Sequence, residues 1–272
     1  MTSDAPLMRI AAHGAMILFS AVAVLPVLWM IVTALRGEGE IFSTLPWPAR
    51  PTLDNFAYVL GAMPMLRILG NTALMAGTTA LAQVATGLLA AYALVRWRFR
   101  GAGIAHALIA LSWLVPFQVV MIPNYVLATR LGLLNSLTGL VVPNAAAAFA
   151  VLILYNAMRG FPREVIEAAR MDGAGSLRIL AQVVVPNLRA PLAALGILAF
   201  ISAWNDYFWP LLLIRRMENS VVQIGLQFFL TEEGNQWGPL MAAATLASLP
   251  ILAVYLILHR QVIDSFMRAG IR

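Results

Sequence analysis

Glu164, Glu167, Arg170 and Asp172 crowd one polar stretch, "PREVIEAARMDGAGSL", set between long apolar blocks. Carboxylates and a guanidinium at helical spacing make charge-assisted hydrogen bonds to opposite charges on another surface. No nucleophile, base or metal-ligand set accompanies them, so the chemistry on offer is recognition rather than catalysis. A second polar group interrupts another apolar block in "AWNDYFWP", where Asn205, Asp206 and Tyr207 follow one another. An ionisable group at such a depth is expensive to bury, so Asp206 is expected to have a partner or a task.

What is missing narrows the chemistry further. Every basic side chain is arginine; the sequence contains no lysine. A Walker A loop needs the lysine that reaches the nucleotide phosphates, so an ordinary P-loop ATPase site is excluded, as are Schiff-base and protein-kinase chemistry. The absence of cysteine excludes disulfides, thiolate metal sites and cysteine catalysis. His13, His106 and His259 stand far apart near the ends of apolar blocks, without an HExxH pair or a carboxylate cluster. They read as interfacial side chains, and neither a catalytic residue nor a metal site is expected.

The elements that position these groups follow from hydropathy. The chain has 272 residues, 61% of them hydrophobic, and a mean hydropathy of +0.83, more apolar surface than one soluble domain buries. Crossing a hydrocarbon layer takes about 20 apolar residues in a helix. Stretches near 11-35, 68-95, 103-128, 134-158, 190-214 and 239-259 meet that length. The expected fold is therefore all-α, a polytopic membrane protein with six transmembrane helices in one domain, 1-272. Pro26, Pro116, Pro123, Pro143, Pro210 and Pro250 mark expected kinks. The first block outruns a secretory signal and lacks a small-residue cleavage site, so it is expected to remain as a span.

The arginines set the expected orientation. With the N-terminus inside, the cytoplasmic loops receive Arg9, Arg96, Arg98, Arg100, Arg159, Arg163, Arg170, Arg178, Arg189, Arg260, Arg268 and Arg272. The opposite side receives only Arg36, Arg50, Arg67, Arg130, Arg215 and Arg216. Twelve against six favours both termini in the cytoplasm. The scatter over short loops does not form a nucleic-acid face.

Three polar segments connect the blocks. "GEIFSTLPWPARPTLDNFAYVL" is expected to be an ordered extracytoplasmic loop with a short helix beginning after Thr52 or Asp54, and Trp47 and Tyr58 at headgroup level. "RRMENSVVQIGLQFFLTEEGNQWGPL" reads either as a solvated cap or as part of a docking surface for an external protein. The loop 159-189 is about thirty residues, long for a bundle connection. Pro162 opens an expected helix over Arg163 to Met171, Gly173 takes the left-handed stop, and Ser176 caps a second segment, Leu177 to Gln182. Val165, Ala168 and Ala169 then form a small apolar face flanked by Glu164, Glu167 and Arg170, which suits close approach by another protein. The competing reading is an amphipathic helix on the membrane surface, although that calls for bulky apolar residues and a strongly basic polar face.

Glu167-Ala168-Ala169, then Gly173, then Val183, Val185 and Pro186, spaced as they are, resemble the "EAA" loop of permease subunits in binding-protein-dependent ABC importers. The family pattern has isoleucine and leucine where Val183 and Val185 stand, so the apolar character is kept. "LPWPARPTLDNF", "NTALMAGTTALAQVATGLLAAYALVRWRFRG", "VPFQVVMIPNYVLATRLGLLNS", "AWNDYFWPLLL" and "WGPLMAAATLASLPILAVYLILHRQ" are similar to carbohydrate-type importers of the maltose MalG kind. The tail "SFMRAGIR" departs from the ending common in sugar permeases.

The resemblance implies an inner-membrane subunit whose 159-189 loop carries a coupling helix seated on a separate ATPase. Arg163, Glu164, Glu167, Ala168, Ala169, Asp172 and Gly173 are the implied contact residues. Glu167 pairs with an ATPase arginine, Ala168 permits close approach, and Gly173 sets the turn. The implied partners are a second permease subunit, two copies of the ATP-binding subunit that uses ATP and Mg, an extracytoplasmic solute-binding protein and membrane lipid; this chain itself needs no cofactor. Asn205, Asp206 and Tyr207 are candidates for a substrate path, or else supply hydrogen bonds between helices. Tyr207 and Trp209 stack on a sugar ring or serve as interfacial anchors. Sugar, polyol and glycerol phosphate derivatives all remain open as solutes. An ion-driven secondary transporter needs paired intramembrane carboxylates or a repeated half, and Asp206 stands alone. An intramembrane enzyme needs a catalytic constellation that the sequence lacks.

Overall fold

A computed structural model describes residues 6–97, 99–231 and 234–269, with side chains for 8–97, 99–162, 164–230 and 234–257. Arg98, Glu232, Glu233 and Arg272 lie outside the described residues, as do the side chains of Arg163, His259, Arg260 and Arg268. Among the described residues, the protein is all-α apart from one short antiparallel pairing, Leu230–Thr231 with Gly234–Asn235.

Among the described residues, three helices are each long and apolar enough to cross a membrane, over Met8–Ala34, Met65–Arg96 and Trp237–Ile257. They belong to α1 (Pro6–Ala34), α3 (Met65–Arg96) and α14 (Trp237–Ala269), and the short α2 (Asp54–Ala62) follows α1. The remaining candidates are bent pairs, which bring the number of spans to as many as six if each pair is one span. α4 (Ala102–Trp113) and α5 (Phe117–Arg130) meet at 96°. Pro116 sits at that corner, where it lacks the donor needed to continue a helix. α6 (Leu137–Val141) continues through a turn at Val142–Asn144, which contains Pro143, and meets α7 (Ala148–Arg159) at 45°. Pro26, Pro123 and Pro250 lie inside helices.

The expected fifth span, 190-214, is not one helix. After α8 (Arg163–Met171), a helical stretch Ser176–Asn187 meets α11 (Arg189–Trp204) at 82°. That stretch is α9 (Ser176–Ile179), a π-helical turn at Leu180–Val184, and α10 (Val185–Asn187). α11 stops at Trp204, and the chain resumes as α12 (Phe208–Leu213), followed by α13 (Val222–Gln227). Asn205 and Asp206 therefore occupy a break rather than the interior of the expected fifth span. The cause is local competition for backbone groups. Asn205 Nδ2 donates to the Ile201 carbonyl at 2.9 Å, and an Asp206 carboxylate oxygen accepts from Trp209 N at 3.5 Å as α12 begins.

Contacts group the chain into two compact units, each described by itself. The first comprises Met1–Met65 and Leu226–Leu249. Its organiser is Arg36, fully buried, which donates to the carbonyls of Ser43 and Leu45 and stacks 5.1 Å from the Trp29 ring. Asn55 Nδ2 donates to the carbonyls of Ala34 and Arg36 at 2.9 and 2.8 Å, satisfying acceptors that the end of α1 leaves open. α14 comes so close at Gly238 that a Cβ there would lie 2.5 Å from Asn55 Oδ1. The expected ordered loop is thus present, with its helix starting at Asp54. Trp47 and Tyr58 are exposed, as are Ile17, Phe19 and Leu25 along α1.

The second unit comprises Leu66–Gly225 and Pro250–Arg272 and holds two cores. One joins Ala91 and Tyr92 of α3 to Ala150, Leu154 and Met158 of α7 and to Ile179, Leu180 and Val184. Gly87 lets α3 and α7 meet, since a Cβ there would stand 2.9 Å from that of Ala150. The other core gathers Met75, Ala128, Leu140, Trp209, Leu213 and Val221. Beside it, Asn135 has a left-handed backbone with φ of 54°. Its side-chain oxygen accepts from the backbone N–H groups of Arg215 and Arg216 at 3.2 and 3.0 Å. Thr72 Oγ1 accepts from Val222 N at 2.9 Å, and Asn71 donates to the carbonyls of Glu218 and Ser220. The first half of the loop after residue 214 is therefore tied to α3, rather than loosely solvated.

Candidate functional site

α8 is built as its residues dictate. Pro162 precedes it in extended conformation, Glu164 falls in the first turn and Arg170 in the last, matching the helix dipole at both ends. The stop is a Schellman motif: Ala174 N donates to Ala169 O at 3.0 Å, and Gly173 N donates to Arg170 O at 2.9 Å. Gly173 has φ of 78°, the left-handed value that the sequence assigns to it. Ala169 and Ala174, which flank the turn, both pack on the Tyr92–Leu154 core, so the motif is anchored from beneath.

That anchoring divides the predicted contact residues. Glu164, Glu167, Ala168, Asp172 and Gly173 are exposed. Ala169 is half-buried and, together with Ile166, belongs to the inward face. The small apolar face expected from Val165, Ala168 and Ala169 is thereby split, because Ala169 follows Ile166 at helical spacing toward the core while Val165 and Ala168 stay outside. Met171 and Leu177, which are not among the expected contact residues, are 88% and 76% exposed on either side of the glycine turn. The available signal was two large apolar residues beside Asp172 and Arg178, off the α8 face that Ile166 and Ala169 occupy.

The second helical segment also differs from expectation. Ser176 is its first residue rather than its cap; Gly175 takes the cap position in extended conformation with no side-chain bond. Ser176 instead offers its carbonyl to Tyr92 Oη, which donates at 3.1 Å and ties the segment to α3. The segment runs on through the π turn to Asn187, and Ile179, Leu180 and Val184 fill its buried side.

A cavity of about 660 Å³ opens between α8 and the ends of α3 and α7. Glu167 and Arg170 line it from α8, Arg96 and Trp97 from the end of α3, and Arg159 from the end of α7. Arg159 stacks over the Tyr155 ring at 5.9 Å, and Trp97 lies edge-on to Tyr92 at 6.2 Å.

A smaller cleft of about 160 Å³ lies between α3, the turn after α6, and α11. Its polar lining is Thr79, Gln83, Asn144, Ser202 and Asp206. Gln83 Nε2 donates to the Asn144 carbonyl at 2.9 Å, which fixes two of these groups. Of the three residues predicted together, only Asp206 lines this cleft. Asn205 is exposed and accepts from Gln223 Nε2 at 3.2 Å, and Tyr207 packs edge-on against Phe208 at 5.4 Å. Among the described residues, no group of three or more His, Asp or Glu side chains is placed to hold a metal. His106 lies against the Tyr155 ring at 4.2 Å.

Residues 83–268 match the model of the family described as "Binding-protein-dependent transport system inner membrane component". The chain is 30% identical to the sn-glycerol-3-phosphate transport system permease protein UgpE of Escherichia coli O1:K1 / APEC, over 96% of each chain. It is 28% identical to the arabinooligosaccharides transport system permease protein AraQ of Halalkalibacterium halodurans, over 92% of each. Its fold is that of a chain in the crystal structure of a bacterial ABC transporter involved in the import of the acidic polysaccharide alginate. The TM-score is 0.80 at 24% identity, covering 96% of this chain and 98% of that one.

Proposed function

The chain belongs to the family of binding-protein-dependent transport system inner membrane components, and from that premise we propose that it is the permease subunit through which a sugar, polyol or glycerol phosphate derivative crosses, driven by a separate ATPase. The names of two relatives, for a glycerol phosphate and for arabinooligosaccharides, support two of these solute classes. One observation carries the coupling role: the exposed α8, closed by the Gly173 Schellman turn and anchored beneath by Ile166 and Ala169.

A protruding helix fixed to a packed core transmits displacement as a rigid body. Closure of two ATP-binding subunits, using ATP and Mg in their own sites, then rocks this chain against a second permease and alternates access to the path. Glu164, Glu167 and Asp172 supply carboxylates for arginines of the ATPase, Arg163 adds a cation, and Ala168 permits close approach. Both termini face the cytoplasm, and a solute-binding protein delivers the cargo from the other side. Asp206, with Thr79, Gln83, Asn144 and Ser202, lines this chain's share of the path; these are donors and acceptors suited to hydroxyl groups.

The test is co-purification of this chain with its ATPase from detergent-solubilised membranes, comparing wild type with Glu167→Arg. The expected result is loss of the ATPase with the second permease retained. ATPase retained at full uptake would remove α8 from the coupling role.

A further inference from the structure

We propose that the 660 Å³ cavity behind α8 is a binding site for a phosphate-bearing anion. Its volume lies in the range of small-molecule sites, about 300–1,000 Å³. Among the described residues, three guanidiniums, Arg96, Arg159 and Arg170, line it against one carboxylate, Glu167, which leaves two positive charges uncompensated. Arg96 Nε is buried with no hydrogen-bond partner. A buried donor without an acceptor is costly, and an anionic oxygen entering the cavity removes that cost. Arg159 is held by its stack on Tyr155, an arrangement that leaves the edge of a guanidinium free to donate. Arginine forks match phosphate oxygens in geometry as well as charge.

The rest of the lining describes what the phosphate is attached to. Met158, Ile166 and Val184 add apolar lining, and Trp97, half exposed, lines it just past the end of α3. Basic pockets at the inner ends of membrane helices, beside an interfacial tryptophan, suit an anionic phospholipid headgroup whose chains follow the helix surface. The same arginines accept free phosphate, so the two sources must be separated by experiment. Because Arg170 belongs to α8 while Arg96 and Arg159 belong to α3 and α7, an occupant braces α8 against the bundle whatever α8 docks on.

The measurement is native mass spectrometry of the full chain with its co-purifying subunits, titrated with phosphatidylglycerol, phosphatidylcholine or inorganic phosphate. Wild type is expected to retain one phosphatidylglycerol at least tenfold better than phosphatidylcholine, and Arg96→Gln with Arg159→Gln to abolish that preference. Arg170→Gln, on an exposed surface where folding is not at stake, is expected to weaken retention severalfold, with the melting temperature of each variant recorded alongside. Retention of phosphatidylglycerol against excess inorganic phosphate identifies the lipid, and displacement by inorganic phosphate at equal occupancy identifies the free anion. Equal retention of both lipids with no phosphate bound, or a preference indifferent to all three arginines, overturns the site.

Discussion

The turn after α8 and the break after α11 both end a helix beside carboxylates, yet they are secured by different means. At Gly173 the backbone closes on itself and apolar side chains, Ile166, Ala169 and Ala174, reach the core, so the charged groups stay at the surface. At Asn205–Asp206 the side chains themselves end one helix and begin the next, and Trp209 then drives α12 into the second core. A polar cluster whose backbone is self-sufficient is available to a partner. One whose side chains satisfy its own backbone is mainly structural, and only what is left over, here the Asp206 carboxylate facing a cleft, is available for function.

The largest predicted effect comes from breaking the second region. A Cβ at Gly139 would lie 2.2 Å from the Leu133 carbonyl, and Gly139 O also accepts the buried Trp209 indole N–H at 3.1 Å. Gly139→Ala is expected to cost about 1–3 kcal/mol or more through overpacking. It should lower the melting temperature in detergent while the exchange protection of 163–175 is kept. An unchanged melting temperature would refute the close packing of α6 at Gly139. Gly173→Val ranks next and isolates the first region. Nothing lies within 4 Å of the new Cβ, so the whole penalty is the left-handed backbone, about 1–2 kcal/mol. Uptake should fall more than tenfold at normal membrane yield; normal uptake would show that the turn does not hold α8.

A smaller effect separates conformation from hydrogen bonding in the second region. Asn135→Gly keeps the positive φ and deletes the side-chain acceptor for Arg215 N and Arg216 N. The expected loss is about 1 kcal/mol, the worth of ordinary hydrogen bonds. Protease cleavage within 215–221 should rise while cleavage elsewhere is unchanged; an unaltered digest would mean that the loop is held without Asn135.

These two regions also show what hydropathy and spacing reveal. The α8 turn was readable because each of its determinants is local: Pro162 before the helix, charges matched to its ends, and Gly173 at the one position that needs a positive φ. The inward rotation of Ala169 was not, because it depends on where Tyr92 and Leu154 stand, far away in sequence. Spans near 11-35, 68-95 and 239-259 emerged as helices because apolar length alone decides them. The corners at Pro116 and Pro143 fell at marked prolines, and the 82° bend at Leu188 lies between Pro186 and Pro191, which are not among the expected kinks. The cavity of Arg96, Arg159 and Arg170 escaped because three helix ends converge there, and no single stretch contains the cluster.

The smallest predicted effect on stability is the most informative about function. Asp206→Asn keeps an oxygen able to accept from Trp209 N and to start α12, so stability should change by no more than about 0.5 kcal/mol. The substitution removes the one charge that the described residues place in the polar lining of the 160 Å³ cleft. If that cleft belongs to the translocation path, uptake changes through the permease while delivery by the binding protein is untouched. The variant should then alter the maximal rate at saturating binding protein without altering the concentration of loaded binding protein that half-saturates uptake. If Asp206 serves only the helix break, both quantities match wild type. A change in half-saturation alone would instead place Asp206 on the surface that meets the binding protein, which its position facing Thr79 and Gln83 in the cleft argues against.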